Sequence, residues 1–303
     1  MAQNREMSLK DKTTMICYAT SVEDIGFLDL ELRQLRLIDS VKKFGIHKID
    51  KWGRQRLLKT DFYDKHRWVL EHKLGAGFWL WKPYIIYEAL KKMKEGDLLM
   101  YLDCGFYLID DPEPLLKLCV ENEGIYFPQM DGEGTIGMLM KRRALDLMGV
   151  LNERYLKAPS VVANVQIYQK NDKTMKFVKD YLDWCSVPEV LMNDEFLNLK
   201  PYDGEPANQR HLHDQSIISV LKERDGIIGF RCPYQHGNHQ KPKHLRVEGE
   251  ELLHPYVEET DFPNSQYPTI LHYEKQGIGC KRPLSHFFIP SKLKGMLLRR
   301  IKR

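Results

Sequence analysis

No stretch of this 303-residue chain approaches the ~20 consecutive apolar residues that a membrane-spanning helix requires; the best candidate, Leu98 to Ile109, is interrupted by Asp103. The N-terminal MAQNREMSLKDK carries charge with no apolar run behind it. Met15 to Ala19 then falls short of the ~7 residues of a secretory core, so export is not expected. Cysteine is sparse and dispersed. Cys17, Cys104, Cys119, Cys185, Cys232 and Cys280 form no CxxC pair and no zinc-module spacing, which points to a reducing, cytoplasmic compartment rather than a disulfide scaffold. Charge of one sign is also scarce: 46 basic against 42 acidic residues leave +4, too mild to imply nucleic acid. There is no internal repeat, low-complexity tract or clear linker.

What is present is a folded composition, 43% hydrophobic and 29% charged. A chain of this size buries roughly three quarters of its unfolded surface. Short apolar runs alternate with helical periodicity, the signature of βαβ units and a mostly parallel sheet. A strand at Thr14 to Thr20 leads into a helix carrying Leu28, Leu32, Leu35, Ile38 and Val41 and stopping at Gly45. Pro83 suits the first position of a helix that ends at Gly96, and Leu98 to Leu102 then reads as a buried strand with Asp103 at its tip. Further strands are expected at Ile125–Pro128, Val161–Tyr168, Ile227–Arg231 and Thr269–Tyr273. Helices are expected at Arg142–Val150, Lys173–Trp184 and Asp214–Glu223. Cys232 to Pro268 is poorly periodic and reads as an irregular, functional loop. The expected organisation is one α/β domain over residues 1–290 and a basic tail over 291–303.

In open α/β sheets ligands bind beyond the carboxyl ends of the strands, so Asp103 is placed for work. Its carboxylate could cap the next turn, hold a divalent cation on a diphosphate, or accept hydrogen bonds from a ribose, and the Cys-Gly pair after it permits close approach. Asp214 makes an N-cap for the helix of Ile217, Ile218 and Leu221; in a cleft, it and Gln215 could instead meet a substrate. Asn164 reads equally as a satisfied core amide or as an orienting group. Trp79 and Trp81 could pack in the core or stack on a sugar or base, and Lys82 adds charge beside a helix N-terminus. His236, His239 and His244 lie too loosely for structural zinc. The glycines at Gly75–Gly77 and Gly132–Gly137 are too loose for a dinucleotide fingerprint.

Taken in succession, these segments resemble the GT-A nucleotide-sugar glycosyltransferases, and most of all glycosyltransferase family 8. YLDCGFYLIDDPEPLL is similar to the family's DxD region, with Gly105 in place of the second Asp. VVANVQIYQKN is similar to its Asn-Ala-Gly strand, with Asn164 at the Asn. HLHDQSIISVL is similar to its DQDxLN segment, with Asp214 and Gln215 in register and Ser216 replacing the second Asp. ILHYEKQGIGCKRP resembles its His-x-x-Gly-x-x-Lys-Pro-Trp element through His272, Gly279, Lys281 and Pro283. GAGFWLWKPYII resembles the W-x-W-K-P-like stretch of related bacterial and viral polysaccharide transferases.

The resemblance implies a single GT-A, Rossmann-like domain that moves a hexose from a nucleotide-diphosphate sugar, a UDP-sugar above all, to a carbohydrate or glycolipid acceptor. It implies a role in surface polysaccharide or lipopolysaccharide synthesis, with retention of configuration. It places a divalent cation, Mn2+ or Mg2+, on Asp103 and His272, with the cation in question because of Gly105. It sets Asp103, Gly105, Lys82, Asn164, Gly279 and Lys281 around the donor, and Asp214 and Gln215 near its sugar. An inverting enzyme with Asp214 as general base, and a non-catalytic carbohydrate-binding protein of the same fold, are the alternatives; a nucleotidyltransferase would want a basic glycine-rich signature that SVEDIGF lacks. The tail SKLKGMLLRRIKR carries six basic residues and no acid, leaving the rest at −2. As a helix it would set Leu293, Met296, Leu297 and Ile301 on one side, the pattern of a peripheral helix on an anionic membrane. No nucleic-acid partner is expected.

Overall fold

Five strands run in one direction and one against them in a single six-stranded sheet, in the computed structural model of this chain. The order is β2-β1-β3-β6-β5-β7. The strands are β1 (Thr13–Ala19), β2 (Lys48–Gly53), β3 (Leu98–Leu102), β5 (Ile125–Gln129), β6 (Val165–Gln169) and β7 (Gly229–Arg231). β1 pairs in parallel with both β2 and β3, β6 runs antiparallel between β3 and β5, and β5 is parallel to β7. The structure describes residues 7–20, 27–129, 134–234, 244–247, 250–253, 262 and 264–274. They belong to the compact unit Met1–Tyr273, apart from Glu274, where a second unit, Glu274–Arg303, begins. This is the α/β class with a mostly parallel central sheet that the periodicity and the resemblance imply.

Apart from the edge strand β2, the sheet is buried on both faces because its strands are apolar at consecutive positions. Ile16, Tyr18, Leu99, Tyr101, Phe127 and Tyr168 belong to the core on one face, with Met15, Cys17, Leu98, Met100, Tyr126 and Ile167 on the other. Six helices of nine residues or more are found among the described residues. They are α1 (Phe27–Lys43), α2 (Asp61–Leu70), α3 (Trp81–Lys92), α4 (Glu113–Glu121), α5 (Asp172–Cys185) and α6 (Asp214–Arg224). α3, α5 and α6 feed the first core, and α1 and α4 the second. α1 buries Leu37, Ile38 and Val41, and it ends where Gly45 takes φ +93 and Ile46 N–H reaches back to the Val41 carbonyl, a left-handed C-terminal cap. No helix among the described residues is long and apolar enough to cross a membrane. The five described cysteines form no disulfide.

Several elements differ from expectation. α3 begins at Trp81, so Pro83 is its third residue, still within the first turn, where a missing N–H costs nothing. β6 starts at Val165 rather than Val161. Val161 makes an isolated bridge to Gln129, and Val162 N–H bonds the Pro128 carbonyl, so the chain touches β5 before it crosses to pair with β3. Within Cys232 to Pro268, β8 (His244–Val247) and β9 (Glu250–Leu253) form an antiparallel pair, each too short to give a strand signal in sequence. β4 (Phe106–Leu108) and β10 (Leu271–Tyr273) make a second small antiparallel pair.

Candidate active site

The chain leaves β1 for β2 on one side and returns to β3 on the other, so the strand order reverses between β1 and β3. The crevice beyond their carboxyl ends is the usual ligand position in such sheets. Asp103 follows β3 immediately and lies there. The thiol of Cys104 donates to the Tyr18 carbonyl at 3.0 Å and ties the two strand ends together. Tyr101 is two residues before Asp103, hence on the same face of the strand, and its hydroxyl donates to Oδ1 of Asp103.

Three helices on that face bring the remaining polar groups to Asp103. Lys82, in the first turn of α3, places its ammonium 2.8 Å from Oδ2 of Asp214 and 3.8 Å from Oδ1 of Asp103, and donates to the Ala163 carbonyl at 3.2 Å. Asp214 opens α6, and Tyr181 of α5 donates to its Oδ2 at 3.0 Å. Lys82 is 2% exposed and Asp214 3%, whereas the Asp103 side chain keeps 31% of its surface open. One lysine and two aspartates thus form a nearly dry set, of which only Asp103 is partly open to solvent.

The electrostatics follow from this burial. Desolvation works against the charged ammonium of Lys82, but Asp103 and Asp214 together outweigh it and hold the lysine above its ordinary range. Asp103 is crowded by protein despite its open side. Burial pushes its carboxyl up, Lys82 and Tyr101 pull it back only in part, and the net shift is upward. Burial also raises the Tyr101 and Tyr181 phenols well above normal, so both remain hydrogen-bond donors.

Two strained backbone segments hold the set. Gly75, Ala76, Gly77, Phe78 and Trp79 all have positive φ, a left-handed turn directly before α3. Such a conformation costs roughly 1–2 kcal/mol for each non-glycine residue. His213, just before Asp214, has φ 52 and ψ −117. Strain of this kind persists where the surroundings over-determine it, and functional sites are where it concentrates. Trp81 is buried, stacks on Tyr18 at 4.0 Å and donates its indole N–H to the Gly75 carbonyl at 3.0 Å, so it is a core residue that braces the turn. Trp79 is half-buried and lies against His213.

The sequence-derived candidates divide accordingly. Asp103, Lys82 and Asp214 come together, and Asn164 joins them through its carbonyl, which accepts the Asp103 N–H at 3.0 Å. The Asn164 Nδ2 donates to the Tyr234 hydroxyl at 3.4 Å, while its Oδ1 is buried without a hydrogen-bond partner. Gln215 is half-buried beside Asp214, and Gly105 lies in the turn between β3 and β4. Gly279 and Lys281 fall outside the described residues.

Three expectations need correction. Asp214 does not cap its helix, because its carboxylate is taken by Lys82 and Tyr181 and no side chain caps α6. Lys82 does not present its charge to a phosphate, because its donors are spent inside the protein. Nor does His272 join Asp103. It stands opposite Tyr107 in the β4–β10 pair with their rings 5.0 Å apart, while Tyr273, on the other face, is the residue whose phenol the Asp103 charge helps to raise, after burial. Among the described residues no group of three His, Cys, Asp or Glu side chains could hold a metal. The Asp103–His272 pair therefore does not fit the expected cation.

No protein-family model matches the chain, and no curated protein matches it. Among solved structures it is similar to mouse xyloside xylosyltransferase 1 in its apo form, at 9% identity over 90% of this chain and 99% of that one, with a TM-score of 0.44. It is also similar to the galactosyltransferase LgtC in complex with donor and acceptor sugar analogues, at 10% identity over 93% of this chain and 99% of that one, with a TM-score of 0.44.

Proposed function

We propose that this protein is a glycosyltransferase that moves a hexose from a nucleotide-diphosphate sugar to a carbohydrate or glycolipid acceptor. The observation that carries this reading is the position of Asp103, a braced carboxylate at the strand-order reversal and the one member of the charged set that is partly open to solvent. The succession of family-8-like segments from Asp103 to Lys281 supports it.

In this reading Asp103 accepts hydrogen bonds from donor hydroxyls, and its charge lies close to the anomeric carbon as positive character develops there. Tyr101 and Lys82 hold its orientation from below. Asp214 stays out of the chemistry. To accept a proton from an acceptor hydroxyl it would have to leave Lys82 and reach out of a nearly dry position. That burial supports a retaining course over an inverting one with Asp214 as base.

The same reading places the acceptor in surface polysaccharide or lipopolysaccharide assembly. The six basic residues of 291–303 would hold the protein on an anionic membrane, each contributing about 1 kcal/mol near the surface. A chain ending at residue 290 is then expected to lose co-sedimentation with anionic vesicles while keeping activity on soluble acceptors, and unchanged sedimentation would remove the membrane from the proposal.

A thermal-shift screen against UDP-, GDP-, CMP- and dTDP-sugars tests the central claim, since a donor at 100 times its dissociation constant stabilises by about 2.7 kcal/mol. One stabilising donor, followed by transfer to a saccharide with the anomer retained in the product, is the expected result. Binding without transfer or hydrolysis would point to a non-catalytic carbohydrate-binding protein, and no shift with any donor would overturn the reading.

A further inference from the structure

Three oxygens surround the Lys82 ammonium: Oδ2 of Asp214 at 2.8 Å, the Ala163 carbonyl at 3.2 Å and Oδ1 of Asp103 at 3.8 Å. Two carboxylates and a carbonyl are the hard oxygen donors that Mg2+ or Mn2+ selects. Here a tethered ammonium stands among them. The oxygens facing it also accept phenol protons, from Tyr181 on Asp214 and from Tyr101 on Asp103, so donors already point at the lone pairs a metal would use. Gly105 brings no second carboxylate to the turn, and His272 packs on Tyr107.

We propose that Lys82 is the cation of this site. It occupies the position between Asp103 and Asp214 that a divalent ion would take, so the protein binds no such ion there and donor binding needs none. The clause about the donor rests on the transferase reading; the clause about the ion does not.

Two properties favour a built-in cation. Lys82 is buried at no risk of loss to solvent, and its single charge leaves the set with one net negative charge, carried by the exposed Asp103 side. Removing the ammonium would leave two carboxylates facing one vacated space. Like charges in a low-dielectric pocket cannot both stay ionised without a counter-ion, so the space would recruit a cation or a proton.

The test compares the wild-type chain with Lys82→Ala. Each is titrated with Mn2+ up to roughly 1 mM, the weak end of ordinary protein sites for divalent cations, with bound ion read by electron paramagnetic resonance. The donor found by thermal shift is then titrated calorimetrically into wild type in EDTA and in Mn2+. Wild type is expected to take up no Mn2+ and to bind donor with the same affinity in both buffers. Lys82→Ala is expected to bind one Mn2+ and to melt higher in its presence. Stoichiometric Mn2+ uptake by wild type overturns the proposal, as does a tenfold loss of donor affinity in EDTA, about 1.4 kcal/mol. A folded Lys82→Ala chain that ignores Mn2+ overturns it as well. If Lys82→Ala does not fold, the wild-type titrations decide. If no donor binds in either buffer, the transferase reading fails, and the Mn2+ titrations still decide what holds the cation position.

Discussion

Trp79 and His213 stack with their ring centroids 5.6 Å apart, and both stand on left-handed backbone, at φ 60 and φ 52. Neither residue is charged at the site, yet each lies just ahead of one that is: Trp79 three residues before Lys82, His213 one before Asp214. Phe78 also lies 5.2 Å from His213. The contact therefore couples the two strained turns that aim Lys82 and Asp214 at each other.

Gly77 in the left-handed turn and Gly96 beyond the end of α3 both take positive φ but differ in what a side chain would meet, and substitution separates the two costs. A Cβ on Gly77, at φ +98, would lie 2.6 Å from the Leu70 Cα and 2.9 Å from the Val69 carbonyl, backbone that cannot yield. Gly96, at φ +81, has nothing within 4 Å and reports the conformational cost alone. Gly96→Ala is expected to cost about 1 kcal/mol and Gly77→Ala at least about 3 kcal/mol by urea denaturation. Equal costs would mean that the turn relaxes and does not set α3.

Asp103 and Asp214 should separate function from stability. Asp214→Asn leaves the Lys82 ammonium buried with only the more distant Asp103 opposite, and a broken buried pair typically costs about 3–5 kcal/mol. Asp103→Asn removes a partly open carboxylate whose burial already disfavours its charge, and is expected to leave stability within about 1 kcal/mol while abolishing transfer. Denaturation curves and single-turnover assays on both variants check this; an active Asp103→Asn enzyme would remove Asp103 from the mechanism.

The sheet was legible in the sequence wherever strands are apolar on both faces, as at Leu98–Leu102, and the placement of Asp103 at a strand tip followed. β2 was not, because KIDKWG is a partly exposed edge strand, half of it polar, without alternation. The approach of Lys82 to Asp214, 132 positions on, leaves no trace in local periodicity. Tyr181 is likewise one apolar-face residue of α5 among several. Tyr101 could have been found, since residues two apart on a strand share a face. The pairing of Asp214 rather than its capping was hidden because a carboxylate at a helix start serves both purposes in sequence.

Ser216 replaces an acid of the resembling motif, and its contacts say what it does instead. Its hydroxyl donates to the Leu139 carbonyl and accepts the Leu212 N–H at 2.9 Å, in a buried position. The Leu212 N–H also donates directly to the Leu139 carbonyl at 3.1 Å, so Ser216→Ala orphans neither group and is expected to cost only about 1 kcal/mol. Ser216→Asp, which restores the motif, would set a carboxylate against that carbonyl and should be worse still. A Ser216→Asp chain as stable as wild type would show that the serine does not brace this loop.

Acid should weaken the fold through a second buried pair of groups behind the site. Nε2 of His211 and Nδ1 of His213 both approach the Leu191 carbonyl, at 3.0 and 2.9 Å. Burial, then His213 and Lys141, push His211 down to about 3, and burial lowers His213. The folded protein thus holds His211 neutral, while the unfolded chain takes up a proton near pH 6.5. The unfolded state binds more protons, so stability is full above about pH 6.5 and falls as pH drops from there toward 3, by at most about 1.4 kcal/mol per pH unit for this residue. Asp103, with its raised carboxyl, acts in the opposite sense, which is why a matched variant is needed to isolate the histidine. His211→Gln keeps a donor for the Leu191 carbonyl and removes the titration. Between pH 7.5 and 5.5 wild type is expected to lose roughly 1 kcal/mol more than His211→Gln, read from urea midpoints at the two pH values. Identical losses would mean that the imidazole titrates normally in the folded protein and that its burial carries no acid penalty.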